Sequence, residues 1–178
     1  MIKSQLVAYD RVPQGEDALD PQPGDFILCH RKGLVSWLIR LGERLKFRSG
    51  SRWSHACFVE TPDTVIEALT HGVKRTPLSD YHNIEYIIVR TDMGAMDALQ
   101  AVRFAQSCLG QSYGWLDDIA IAIRFLIPGR GLWFGLNGTE ICSGLVAQCL
   151  VRGWANFPVN PASMSPAELG EAYGAPDR

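Results

Sequence analysis

Cys142 lies near the start of a segment, residues 138–150, in which apolar residues recur at the spacing of an amphipathic helix. Gly138 and Thr139 are typical of a helix start, with Thr139 a fair N-cap. In the first turn of a helix, unpaired N–H groups and the helix dipole favour a thiolate over a thiol. Cys142 is therefore a candidate nucleophile if a base lies within reach. The alternative is a cysteine buried on the core-facing side of the helix.

A cysteine nucleophile needs a base, and His55 is the candidate. It lies inside a predicted strand, so it could be aimed at another element, although a histidine on an apolar strand can also be a structural residue. The other histidines lie in predicted loops or at strand ends: His30, His71 and His82.

Glu67 is the candidate for orienting the imidazole, because it is an acidic residue in an otherwise apolar predicted strand, residues 64–69. An odd-length hairpin loop centred near Thr61 places Glu67 opposite His55. A two-residue turn at 62–63 places it on the other face, and the sequence leaves both registers open. The alternative is an edge-strand charge that points to water. Two other carboxylates are weaker candidates: Asp25 and Glu60.

The hydrophobic pattern predicts an α+β fold, in which a small antiparallel sheet or half-barrel packs against helices. Strands are predicted at residues 25–29, 53–60, 64–69 and 85–90. Helices are predicted at 34–45, 97–109, 113–126 and 140–150, and from Ser165 onwards. The other stretches are interpreted as a polar lead-in at 1–22, an irregular connection at 71–83 and a loop at 128–138. Residues 1–178 are predicted to form a single domain.

The composition is that of an ordinary soluble globular protein. Of the 178 residues, 47% are apolar and 20% are charged, and the formal net charge is −2. This charge argues against nucleic acid as the main partner, although basic residues cluster at 40–52. Five cysteines without a CxxC pair argue against a disulfide framework and a zinc cluster, so we expect no metal or cofactor. Neither a signal peptide nor a transmembrane segment is predicted, and we expect a cytoplasmic protein.

Between residues 22 and 170 the order of motifs resembles that of the circularly permuted papain-like amidases. These form the YiiX/YaeF-like branch of the NlpC superfamily. The resemblance lies in an ordered set of segments: PGDFIL at 23–28, LVSWLIR at 34–40, WSHACFVE at 53–60, TVIEAL at 64–69, GQSYG at 110–114, ICSGLV at 141–146 and MSPAEL at 164–169. In that family the histidine precedes the cysteine, as it does here.

The resemblance implies a permuted papain-like fold with Cys142 as nucleophile, His55 as general base and Glu67 as the residue that orients the imidazole. In relatives the cysteine motif often reads Cys-Ser-Glu-Leu, whereas Gly144 replaces the acidic residue in this chain. That departure leaves the nucleophile in place, but this chain lacks the acidic side chain for any role in helix capping or substrate contact.

The implied function is that of a thiol-dependent hydrolase or acyltransferase, similar to a cysteine peptidase or amidase. It would act on amide (peptide or N-acyl) or acyl-ester bonds of a small-molecule, peptide or acyl-lipid substrate. The backbone N–H of Cys142 is a candidate oxyanion donor, and Tyr113 and Trp53 are candidates for substrate binding. A second hypothesis is a non-catalytic module in which the apolar helix and residues 133–134 hold a lipid or a partner protein. A redox-sensing thiol is a third.

Overall fold

The structure is a computed structural model that describes residues 8–30, 52–69, 71–111 and 142–175. The strands are β1 (Tyr9–Val12), β2 (Phe26–Cys29), β3 (His55–Thr61), β4 (Thr64–Leu69), β5 (Gly72–Pro77) and β6 (Tyr86–Val89). The helices are α1 (Ala95–Ser107), α2 (Cys142–Arg152) and α3 (Pro166–Ala172), with 3₁₀ turns at Leu78–Tyr81 and Pro161–Ser163. The predicted α+β class is confirmed. Among the described residues, none of the helices has the length and apolar character needed to cross a membrane.

The strands form one antiparallel sheet in the order β1-β6-β2-β3-β4-β5. Its central strands are covered on both faces, and β2 and β6 are buried at every residue. This explains why their sequences are continuous apolar runs instead of alternating patterns. One face packs on α1 and α2 through residues such as Leu28, Phe58 and Ile66. The other face carries a second cluster that includes Val59 and Tyr81.

The predicted elements that fall on described residues are present, with ends shifted by one or two residues. The start of α3 matches its predicted signal. The Ser165 hydroxyl accepts the Glu168 N–H, and the Glu168 carboxylate accepts the Ser165 N–H in return, which makes a capping box. The helices predicted at 34–45 and 113–126, and the loop at 128–138, lie outside the described residues.

Two interpretations were wrong about secondary structure. Residues 71–83, predicted as an irregular connection, contain β5 and a 3₁₀ turn, and the polar lead-in contains β1. Both strands lie at the edges of the sheet and expose most or half of their side chains, so neither carries an apolar pattern. The ladder hydrogen bonds of their partners, β4 and β6, hold them in the sheet.

The β3–β4 hairpin has the two-residue turn of one predicted register and, further from the turn, the strand pairing of neither. Its turn has two residues, 62–63, and Thr61 pairs with Thr64. Val59 nevertheless pairs with Val65, so Glu60 is the extra residue of a β-bulge. The extra residue shifts the register by one, so Val59 pairs with Val65 and not with Ile66 as it would in a regular hairpin.

The side chain of Glu60 holds this bulge in place. It is buried, and its carboxylate accepts hydrogen bonds from the Arg75 guanidinium on β5 and from Gln106 on α1, the latter at 2.8 Å. Because of the bulge, Glu67 lies on the same face of the hairpin as His55.

Candidate active site

The described part of helix α2 runs from Cys142 to Arg152, and its apolar stripe packs the Cys142 end against β3. The predicted stripe is buried as a whole: Cys142, Leu145, Val146, Cys149 and Leu150. Cys142 itself is 7% exposed. Gly138 and Thr139, the predicted helix-start signals, lie outside the described residues. The hydrophobic packing of α2 thus brings a first-turn thiol next to the beginning of β3.

His55 is the first residue of β3 and is joined to Glu67 of β4 by a hydrogen bond of 2.7 Å between Nε2 and Oε2. Both side chains are buried, with His55 5% and Glu67 0% exposed. The thiol of Cys142 lies within hydrogen-bonding reach of the same ring. Since Glu67 occupies Nε2, Nδ1 is left for the thiol. The structure therefore brings the three predicted residues together in one buried chain.

Burial and hydrogen bonding act in opposite directions on Glu67. Burial raises the pKa of its carboxyl, but hydrogen bonds from His55, Thr76 and Tyr81 and the charge of His55 outweigh it and lower the pKa to about 2. Sequence reasoning missed Thr76 and Tyr81, because both lie in the stretch interpreted as irregular. The available signal was Val73 and Thr76, β-branched residues of a kind enriched in strands.

The thiol and the imidazole shift each other's pKa in the directions expected of an ion pair. For His55, burial lowers the pKa, but the charge of the Cys142 thiolate and hydrogen bonds to Cys142 and Glu67 raise it to about 9. For Cys142, burial raises the pKa, but the charge and hydrogen bond of His55 and the backbone N–H groups of Ala56 and Ser143 lower it overall. These shifts favour a thiolate and an imidazolium at neutral pH.

Gly144 lies where the backbone of the Pro161–Ser163 turn approaches the first turn of α2. A Cβ at this position would lie 2.7 Å from the carbonyl oxygen of Ala162 and 3.1 Å from its carbonyl carbon. The Ser143 hydroxyl donates to the carbonyl oxygen of Met164 at 2.6 Å, which ties the same two segments together. The backbone contact therefore leaves no room for an acidic side chain at position 144.

Replacing Gly144 by alanine should lower the free energy of unfolding by about 2 kcal/mol, because the new methyl group meets backbone atoms and not a flexible side chain. Urea unfolding followed by circular dichroism would measure the change. Gly94→Ala is the matched control, since its Cβ would meet only Asp97 Oδ2 at 3.5 Å. We expect that control to stay within about 1 kcal/mol of the native protein. Equal stability of both variants would contradict the tight contact.

The weaker carboxylate candidates lie in other networks. Asp25 accepts a hydrogen bond from Arg90 at 2.9 Å and one from the Thr91 N–H at 3.2 Å. Glu60 is bonded to Arg75 at the bulge.

Two of the other histidines, His71 and His82, and the predicted substrate-binding residue Trp53 are not part of the candidate site's hydrogen-bonded chain. His82 is half-buried and its Nδ1 lies 3.0 Å from a carboxylate oxygen of Asp17, and His71 is exposed. Trp53 is 1% exposed and packs in the core shared with α2, so its role in substrate binding stays a prediction. Tyr113 lies outside the described residues.

A metal ion does not fit the site as it is arranged. Nε2 of His55 and both carboxylate oxygens of Glu67 are already engaged in hydrogen bonds within the protein. Within residues 8–30, 52–69, 71–111 and 142–175, no three histidine, cysteine, aspartate or glutamate side chains are grouped so that they could hold a metal ion.

Comparison with known proteins gives a likeness in fold to a solved structure. No family model and no curated protein matches the chain. Among solved structures, the chain is similar to the metalloprotein YiiX from Escherichia coli O157:H7, with a TM-score of 0.52 and 20% sequence identity. The match covers 88% of this chain and 84% of YiiX. The likeness is one of fold, and in fold this chain is similar to YiiX.

Proposed function

We propose that the protein is a thiol-dependent hydrolase or acyltransferase that acts on amide or acyl-ester bonds through Cys142, His55 and Glu67. One observation carries the proposal: a first-turn cysteine, a histidine and a carboxylate form a continuous buried chain, with 2.7 Å between His55 and Glu67. Nucleophile, base and orienting group in this order are what nucleophilic acyl transfer requires. The YiiX-like fold is consistent with it.

The proposed reaction starts from a thiolate on Cys142 and an imidazolium on His55. The Cys142 thiolate attacks the carbonyl carbon, and the backbone N–H of Cys142 is the candidate donor to the developing oxyanion. As the bond to the leaving group breaks, protonated His55 gives its proton to the leaving nitrogen or oxygen, which leaves a thioester on Cys142. Water or another acceptor then loses a proton to His55 and attacks the thioester, which releases the acyl group and restores the thiolate.

Glu67 holds the imidazole in the tautomer and orientation that this exchange needs, and its negative charge stabilises the imidazolium. The proposed substrates are small molecules, peptides or acyl lipids, because a thiolate attacks both amide and ester carbonyls. YiiX is described as a metalloprotein, but in this chain donor atoms of His55 and Glu67 are engaged with one another, so the proposed reaction uses no metal ion.

The first test is the pH dependence of iodoacetamide labelling of Cys142, followed by mass spectrometry of its peptide. Cys149 lies in the same helix, is fully buried and serves as the internal control. We expect Cys142 to be labelled at about pH 6 at least about tenfold faster than Cys149, because its thiol is ionised below the ordinary pKa of roughly 8.5. Screening with acyl esters and N-acyl anilides should then trap an acyl thioester on Cys142.

Slow labelling of Cys142 with an ordinary thiol pKa would contradict the proposal that the protein is a thiol-dependent enzyme. In that case a non-catalytic module that binds a lipid or a partner protein becomes the better proposal.

A further inference from the structure

We propose that Thr76 and Tyr81 are positioning residues of this site that act through Glu67. Their hydroxyl groups fix the carboxylate against His55 and keep it ionised in acid. The inference rests on the proposed function, because it concerns the support of the proton-exchanging pair of His55 and Cys142.

Three donors converge on one buried carboxylate. The Thr76 hydroxyl donates to Oε1 of Glu67 at 2.6 Å, and the Tyr81 hydroxyl donates to Oε2 at 2.7 Å. His55 Nε2 lies 2.7 Å from the same Oε2. Because each oxygen is held from a different direction, the carboxylate cannot rotate away from the imidazole without breaking a hydrogen bond.

The two hydroxyl groups stand on ordered elements. Thr76 lies in β5, where it pairs with Val65 of β4, and side-chain alternation places it on the same face as Glu67. Tyr81 ends the 3₁₀ turn, is fully buried and meets Tyr86 edge to face, with ring centroids 6.0 Å apart. Both elements come from the stretch that reads as irregular in the sequence.

The charge of Glu67 depends on these donors because few of the described residues around it are charged. Besides Tyr81, the titratable side chains on this face of the described sheet include His55 and Cys57 on β3 and Lys74 on β5. Cys29 on β2 and Tyr86 on β6 belong to the same buried cluster. Lys74 is the cross-strand partner of Glu67, but its side chain is exposed. A carboxylate in so apolar a place would be protonated near neutral pH without hydrogen-bond donors.

Removing both hydroxyl groups should therefore raise the pKa of Glu67, by about one to two pH units per lost hydrogen bond. A protonated Glu67 no longer stabilises the imidazolium of His55, so the thiolate of Cys142 is lost at a higher pH than in the native protein. The neutral-pH site stays intact, whereas its acid limit moves.

The test is the pH midpoint of Cys142 labelling by iodoacetamide in the native protein and in the double variant Thr76→Val/Tyr81→Phe. We expect the midpoint of the double variant to lie about one pH unit or more above the native one. Thr76→Ser keeps the hydroxyl group and should retain the native midpoint. Tyr86→Phe removes a hydroxyl from the neighbouring buried ring and should also retain it.

The outcomes separate this inference from the function on which it rests. A native midpoint in the double variant, with fast labelling of the native protein, overturns the role of Thr76 and Tyr81 and leaves the function standing. Slow labelling of the native protein overturns the function, and this inference with it. If the double variant does not unfold cooperatively, the single variants Thr76→Val and Tyr81→Phe decide the matter through smaller shifts in the same direction.

Discussion

Replacing His55 by alanine should slow the alkylation of Cys142 at about pH 6 by about 100-fold. In the native protein the charge and hydrogen bond of His55 hold the pKa of the thiol below its usual range against the effect of burial. Without the ring, burial is opposed only by backbone N–H groups. A thiol with a pKa of roughly 8.5 is less than about 1% ionised at this pH. The lower intrinsic nucleophilicity of a low-pKa thiolate offsets part of that difference.

His82→Ala is the matched control for this variant. His82 is half-buried and pairs with Asp17, outside the hydrogen-bonded chain of Cys142, His55 and Glu67, so its loss should leave the labelling rate unchanged. Labelling of His55→Ala at the native rate would show that His55 does not ionise the thiol.

The pH dependence of turnover should differ from that of labelling on the alkaline side. The pKa of His55 is raised to about 9, so the imidazolium that protonates the leaving group disappears as the pH passes that value. The thiolate persists there, and labelling should stay fast.

Replacing Glu67 by glutamine should lower acyl-transfer turnover by about 10²- to 10⁴-fold, because an amide neither stabilises the imidazolium nor enforces its tautomer. Labelling of Cys142 at about pH 6 should fall less, by about tenfold, since His55 still contacts the thiol. Asp25→Asn is the matched control: it changes another buried carboxylate, which is bonded to Arg90 in a separate network, and labelling should not respond to it. Equal turnover of Glu67→Gln and the native protein would remove Glu67 from the site.

Glu67 should also make stability depend on pH. Its folded-state pKa of about 2 lies below the unfolded value of roughly 4.3, so its contribution is fully present above about pH 4.3 and is lost as the pH falls towards 2. That contribution is on the order of 3 kcal/mol. Urea unfolding of the native protein should therefore weaken over this window more steeply than that of Glu67→Gln.

Much of the scaffold around the site is encoded in short-range patterns. The stripe of Cys142, Leu145 and Val146 predicts α2, and Ser165 with Glu168 predicts the start of α3, because both signals depend on residues within one or two helical turns. The apolar runs of β2 and β6 predict central strands for a similar reason. His55 and Cys142 could accordingly be selected as candidates from residue type and element alone.

The relation between the elements was decided by contacts between residues far apart in the chain. The turn at 62–63 would place Glu67 away from His55 if the hairpin were regular. It faces His55 because the Glu60 carboxylate is drawn to Arg75 of β5 and Gln106 of α1, and the bulge formed there changes the register.

The hydrogen-bond donors to Glu67 could likewise not be predicted from the sequence pattern. Thr76 lies on an edge strand and Tyr81 on a 3₁₀ turn, and neither element has an apolar period of its own. Their hydroxyl groups reach Glu67 only because β5 pairs with β4 and Tyr81 packs on Tyr86. Periodicity reports which face of an element is buried. The partners of a buried charge are chosen by the assembled sheet, because a carboxylate removed from water is stable only where donors from other elements converge on it.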